Sequence, residues 1–80
     1  MEGSLYFIRE RKAHIVGIEI KEDEVVDFVI EKYDSILHSY KTTRYSGFEK
    51  YIFYFEDGIE LFYFSTAPYQ SAKSAIEKVG

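Results

Sequence analysis

Hydrophobic and polar residues alternate most clearly over residues 48–65, where two aromatic runs flank Asp57-Gly58. An Asp-Gly pair between alternating runs predicts a β-hairpin with a type I′ turn, because both central positions of that turn need positive φ. In this register Tyr54 pairs with Leu61. Side chains alternate across a strand, so the hairpin has a phenylalanine-rich face and a second face of tyrosine, isoleucine and leucine that is also apolar.

An N-terminal hairpin is also predicted. Residues 5–10 and 13–20 have the composition of strands, and Arg11-Lys12 forms a polar break between them. The break contains neither Gly nor Asn, so turn chemistry specifies its register only weakly. Together with the aromatic hairpin it gives a four-stranded sheet.

Apolar residues recur at spacings of three and four between the two hairpins, which predicts an amphipathic helix from about Glu22 to about Tyr40. Acidic residues at its start suit the positive end of a helix. A second helix is predicted after the aromatic hairpin, because Ser65 or Thr66 can cap it and Pro68 fits its first turn.

These elements predict an α+β fold of order ββα-ββα. The sheet has four strands and is mainly antiparallel, and both helices pack on the phenylalanine-rich face. A single domain covers residues 1–80, with ββα units at 4–40 and 48–80. Residues 5–33 align on 51–79 without a gap, so an internal ββα duplication is one interpretation, and a chance likeness between two hairpin-helix units is the other.

Two helices on one face would leave the other apolar face of the sheet uncovered within the monomer. A patch on the order of 500 Å² is near the upper limit for monomers and is typical of an interaction site. We therefore predict a homodimer, or binding to another protein, through this face. The alternative is one helix on each face and a monomeric protein. The predicted interface residues are Tyr6, Ile8, Ile15, Ile52, Tyr54, Leu61 and Tyr63.

Cations near the start of the aromatic hairpin indicate a different function, the binding of single-stranded nucleic acid. Tyr54 and Tyr63 on the sheet could stack unpaired bases. The net charge of −4 opposes this function, because nucleic-acid binding draws on basic residues. The alternative interpretation of the basic stretch is a solvated loop. The candidate nucleic-acid or anion-binding residues are Lys41, Thr42, Arg44 and Lys50.

Acidic residues are dense where the first predicted helix begins, at Glu19 and within residues 22–27. Such a surface could dock on a basic partner as an inhibitor or a mimic. The alternative is a solvated helix start whose charges suit the helix dipole.

Chemistry-bearing motifs are not evident in the chain. Neither His14 nor His38 lies in a metal-binding motif, and no spacing brings a nucleophile and a base together. We therefore expect no catalytic residues, no metal site and no cofactor, and the favoured function is that of a protein interaction module.

Composition favours a cytoplasmic protein that does not enter a membrane. No apolar run reaches the ~20 residues of a membrane span, and residues 1–4 do not resemble the start of a signal peptide. The chain has no cysteine, which is compatible with a reducing compartment. It also has no asparagine and is rich in lysine and glutamate, a pattern that favours a thermophile or its virus as the source.

Overall fold

The computed structural model describes residues 1–79 and shows an α+β fold with one five-stranded antiparallel sheet and two helices. Gly80, the last residue of the predicted domain, lies outside the described residues. The strands are β1 (Glu2–Arg9), β2 (Lys12–Lys21), β3 (Ile36–Tyr45), β4 (Phe48–Phe55) and β5 (Gly58–Ser65). The helices are α1 (Val25–Lys32) and α2 (Tyr69–Val79), and a 3₁₀ turn (Glu22–Glu24) leads into α1. The strand order in the sheet is β2-β1-β5-β4-β3.

Strand β3 corrects the predicted four-stranded sheet. The predicted first helix ends at Lys32, and much of its second half belongs to β3. Ile36 and Tyr40 have a helical spacing, but they pair with Phe55 and Phe53 of β4. The pairing satisfies the outer side of β4, which would otherwise be an open sheet edge, and the two threonines in the middle of β3 suit a strand.

Each helix packs on a different face of the sheet. Val25 and Val29 of α1 are buried against the phenylalanine-rich side, called the α1 face, whose buried strand residues are Leu5, Ile20, Tyr51, Phe53, Phe62 and Phe64. Ala72 and Ile76 of α2 are buried against the other side, called the α2 face, whose buried strand residues are Tyr6, Ile8, Phe48 and Tyr63. The prediction that both helices share one face is therefore wrong, because each apolar face needs its own cover.

An internal ββα duplication is not shown by this architecture. The first hairpin and α1 are followed by β3, which has no counterpart after the second hairpin. The two helices also pack on opposite faces of the sheet, so the proposed units do not bury their helices in the same way.

The aromatic hairpin forms in a register shifted by two residues from the predicted one. Phe55 pairs with Gly58 rather than with Glu60, so the turn residues are Glu56 and Asp57. Of Glu56, Asp57 and Gly58, only Gly58 has positive φ, at 140°, which glycine adopts without a Cβ clash. Because the shift is even, every side chain keeps its predicted face.

The N-terminal hairpin turns at Glu10 and Arg11, between the paired residues Arg9 and Lys12. Both turn residues have positive φ, at 53° and 64°. This is the backbone pattern of a type I′ turn, formed without Gly or Asn. A non-glycine residue in the left-handed region costs roughly 1–2 kcal/mol, so the turn is strained.

We expect Arg11→Gly to raise the free energy of unfolding by about 0.5–1 kcal/mol, because glycine adopts positive φ without a Cβ clash but adds entropy to the unfolded chain. Urea denaturation followed by circular dichroism measures the change. Asp57→Gly is the matched control, since Asp57 lies in a turn at negative φ and has no such strain to lose. Equal stability changes in the two variants would contradict this explanation.

Candidate interaction surface

Helix α2 covers one part of the predicted interface face and leaves another part exposed. It packs over β1 and β2, and Tyr6, Ile8 and Tyr63 are buried on the face that it covers. The expectation that these three side chains are open to a partner is wrong, because Ala72 and Ile76 of the same chain pack against them. The face that looked uncovered from the sequence is therefore partly closed within the monomer.

The part of the α2 face on β4 and β5 that lies near the turn of the aromatic hairpin stays open. Ile52, Tyr54 and Leu61 of the predicted set are partly exposed there, and Ile59, which pairs with Tyr54, is 60% exposed. We call these residues the open patch. Its area is on the order of 250 Å², roughly half of the expected value and ordinary for a monomer. Ile15 is 43% exposed but lies apart from the patch, on β2.

Strand β3 extends this open region to the edge of the sheet. It pairs only with β4, and every residue from 37 to 44 is exposed. Tyr40 is 54% exposed while its ring stacks on Phe53, with 6.4 Å between the ring centroids. The open patch and β3 together are called the open side of the sheet.

Sequence reasoning missed two parts of the open side. Ile59 was not among the predicted interface residues, although its alternation with Leu61 places it on the same face. The edge strand was assigned to the end of a helix and a loop. The signal for it was the pair Thr42-Thr43 between aromatic residues, which is typical of a strand.

The candidate anion-binding residues do not converge. Lys41 and Lys50 lie on the α2 face, whereas Thr42 and Arg44 lie on the α1 face, as their partners across the β3–β4 pair show. Tyr63, one of the two proposed stacking tyrosines, is only 2% exposed. Cations and aromatic rings therefore do not form one continuous track for a nucleic-acid strand.

Lys50 is held at the border of the open patch by Tyr45. Its ammonium donates a hydrogen bond of 3.0 Å to the Tyr45 hydroxyl, and its nitrogen lies 5.0 Å from the centroid of the same ring. The hydrogen bond to Tyr45 raises the pKa of Lys50. This cation is therefore charged at neutral pH and already engaged within the chain.

Arg44 forms a charged cluster with Glu22 and Glu49 at the end of the α1 face, called the Arg44 corner. Its guanidinium makes ion pairs with Glu49 and, at 3.6 Å, with Glu22. A cavity of about 280 Å³ adjoins the corner and is lined by Met1, Glu22, Arg44, Gly47, Phe48, Glu49, Phe64 and Thr66. The one basic side chain of this lining, Arg44, is paired with two carboxylates, so the cavity has no positive excess for an anionic ligand.

A second cavity of about 240 Å³ lies beside the aromatic hairpin turn. It is lined by Phe7, Arg9, Tyr33, Asp34, Ser35, Phe55, Asp57, Glu60 and Phe62. Arg9 and Glu60 are 3.8 Å apart, and both side chains are exposed enough for the ion pair to be weak. Among the described residues, the Ser35 hydroxyl makes no hydrogen bond to a carboxylate of this lining, so no nucleophile and base are joined there.

Neither metal-ligand chemistry nor similarity to known proteins assigns a function to the surfaces and cavities described above. Among residues 1–79, no three histidine, cysteine or acidic side chains are grouped closely enough to hold a metal ion. Over the same residues, neither helix has the length and apolar character to cross a membrane. No protein-family model, curated protein or solved structure matches the chain. The feature that best supports a function is therefore the open side of the sheet, that is, the open patch together with β3.

Tyr51 provides a pH test of the packing beside the Arg44 corner. Burial, with smaller contributions from Glu49 and Glu22, raises the pKa of its phenol to about 12. An unfolded tyrosine ionises near ~10, so the free energy of unfolding is unaffected below that pH. Between pH ~10 and ~12 the unfolded chain loses a proton that the folded chain keeps, and stability falls by about 3 kcal/mol.

We expect Tyr51→Phe to remove that part of the pH dependence. Urea denaturation at a series of pH values from ~8 to ~12 measures it, and the difference between the two proteins isolates Tyr51 from the other buried tyrosines. The same slope in both proteins would show that the Tyr51 phenol is not buried as described.

Proposed function

We propose that this protein is a small interaction module without catalytic activity, and that it works as a homodimer joined through the open side of its sheet. The observation that supports this most directly is β3, an edge strand exposed at every residue from 37 to 44. An edge strand of this kind presents unpaired N–H and C=O groups that can pair with another chain. The proposal includes a cytoplasmic location and a thermophilic source, which composition favours.

A second copy is a suitable occupant because it brings the same edge strand, and two identical edge strands can pair with each other in a closed dimer. The open patch alone is too small, since a stable interface buries more than ~1,000 Å² in total. Backbone hydrogen bonds at the edge add about 0.5–1.5 kcal/mol each, against an association cost of about 4–15 kcal/mol. The two contributions are of similar size, so pairing of one short strand gives at most a weak dimer.

The two other functions considered from the sequence have weaker support. For nucleic acid, Tyr54 is accessible but Tyr63 is buried, and Arg44 is paired with carboxylates on the other face. For an acidic mimic, the charged surface around residues 22–27 is exposed, but Glu22 is paired with Arg44, and no further feature distinguishes that surface from a solvated helix start.

Sedimentation equilibrium tests the proposed homodimer. We expect the protein to be mainly dimeric at ~1 mM and to dissociate on dilution. Tyr40→Ala removes a large exposed side chain from β3 and should raise the dissociation constant about tenfold, equivalent to a loss of about 1.4 kcal/mol.

The matched control is Tyr69→Ala, which removes a tyrosine that is 40% exposed on α2 and lies outside the open side of the sheet. It should leave the dissociation constant unchanged. A wild-type protein that stays monomeric at every concentration would disprove the homodimer, and equal effects of the two variants would disprove the location of the contact.

A further inference from the structure

We infer that two copies join through their β3 strands, paired antiparallel about a two-fold axis at Thr42. This inference rests on the proposed homodimer and specifies the strand and the register that form it. Pairing of two identical edge strands is an isologous contact, in which the same residues of both copies meet and the assembly closes as a dimer. The axis stands perpendicular to the joined sheet, so the open patches of both copies lie on the same side.

The two edges of the sheet are not equally available for pairing. Strand β2 has two register irregularities against β1, and Glu19 near one of them has positive φ. Bulges of this kind twist an edge strand away from a potential partner. Strand β3 has one irregularity, between Ile36 and Tyr40, which leaves residues 40–45 in regular register with β4. Residues 40–45 of β3 are therefore the edge that is available to pair with a second copy.

Backbone geometry determines which groups of this stretch point outward. Tyr45 and Phe48 flank a two-residue turn and pair directly, so their N–H and C=O groups bond to each other. The direction alternates along a strand, and Thr43 and Lys41 therefore also turn these groups toward β4. The residues that turn the same groups away from the sheet are Tyr40, Thr42 and Arg44.

Charge selects between the symmetric registers. An axis at Thr42 sets Tyr40 opposite the partner's Arg44 on the α1 face, where a guanidinium can lie against an aromatic ring. It also sets Lys41 opposite the partner's Thr43, so like charges do not meet directly. An axis at Lys41 or at Arg44 would place two identical cations opposite each other, which destabilises paired strands.

An axis at Thr43 also avoids like charges but uses the edge less well. It would pair the outward groups of Tyr40 with those of Ser46, which lies in the turn after β3. With the axis at Thr42, every outward-facing residue from Tyr40 to Arg44 meets an outward-facing residue of the partner within regular strand. The register about Thr42 therefore forms the most backbone hydrogen bonds without a charge conflict.

Disulfide cross-linking reads this register directly, because the natural chain contains no cysteine. Residues opposed in a hydrogen-bonded antiparallel pair have Cα atoms about 5.5 Å apart, which a disulfide can span. We expect Thr42→Cys to form a covalent dimer at least ~tenfold faster under mild oxidation than Thr43→Cys or Arg44→Cys, whose own counterparts are offset along the seam. Thr43→Cys is the matched control, since it alters the same residue type one position away.

Sedimentation equilibrium of the unmodified protein separates the two ways in which the inference can fail. Suppose that the protein is a dimer but Thr42→Cys does not react fastest, because Thr43→Cys or Arg44→Cys is faster or because the three variants react equally or not at all. The pairing register about Thr42 is then disproved, and the homodimer stands. If the protein is a monomer and no variant cross-links preferentially, the proposed function fails as well. A dimer with fast linkage at Thr42→Cys alone supports both.

Discussion

A sheet that is apolar on both faces needs cover on both, and this constraint shapes the rest of the molecule. The chain supplies one helix for each face, α1 through Val25 and Val29, and α2 through Ala72 and Ile76. A helix is ~10 Å across and neighbouring strands lie ~4.8 Å apart, so one helix covers about two strands. Five strands exceed that cover, so on the α2 face part of β4 and β5 stays open, and β3 at the edge of the sheet is exposed at every residue from 37 to 44.

Strong local patterns made much of the fold predictable from the sequence. Alternation identified both hairpins, and Pro68 with the apolar stripe after it identified α2. The register of the aromatic hairpin was shifted because Glu56 and Asp57 form the turn, and Gly58 is the first residue of β5 rather than the second turn residue. The faces survived that error, since an even shift keeps each side chain on its own side.

Strand β3 and the placement of the helices could not be read in the same way. Ile36 and Tyr40 have a spacing that fits a helix, and only their pairing with β4 shows that they belong to a strand. Local sequence also does not specify which face of the sheet a helix covers when both faces are apolar. That choice depends on packing between distant elements, such as the buried cluster that holds both Ile76 of α2 and Tyr6 of β1.

Only part of the candidate interaction surface could be predicted from the sequence, because its exposure depends on which residues α2 covers. Ile52, Tyr54 and Leu61 are partly exposed as expected, but Tyr6 of the same predicted set is fully buried. Its hydroxyl has no hydrogen-bond partner among the described residues, so apolar packing under α2 outweighs the cost of burying that group. The size of the open side of the sheet depends on how much of the sheet α2 covers, and no local sequence pattern specifies that.

Amide hydrogen exchange along β3, measured by NMR at several protein concentrations, tests the central claim most directly. The Thr43 amide faces β4 and should be protected at every concentration, whereas the neighbouring Thr42 amide faces outward. If two copies pair at this edge, the Thr42 amide exchanges rapidly in dilute solution and becomes protected as the concentration rises. A Thr42 amide that exchanges equally fast at all concentrations would contradict the claim that the uncovered edge of the sheet is where this protein binds its own copy.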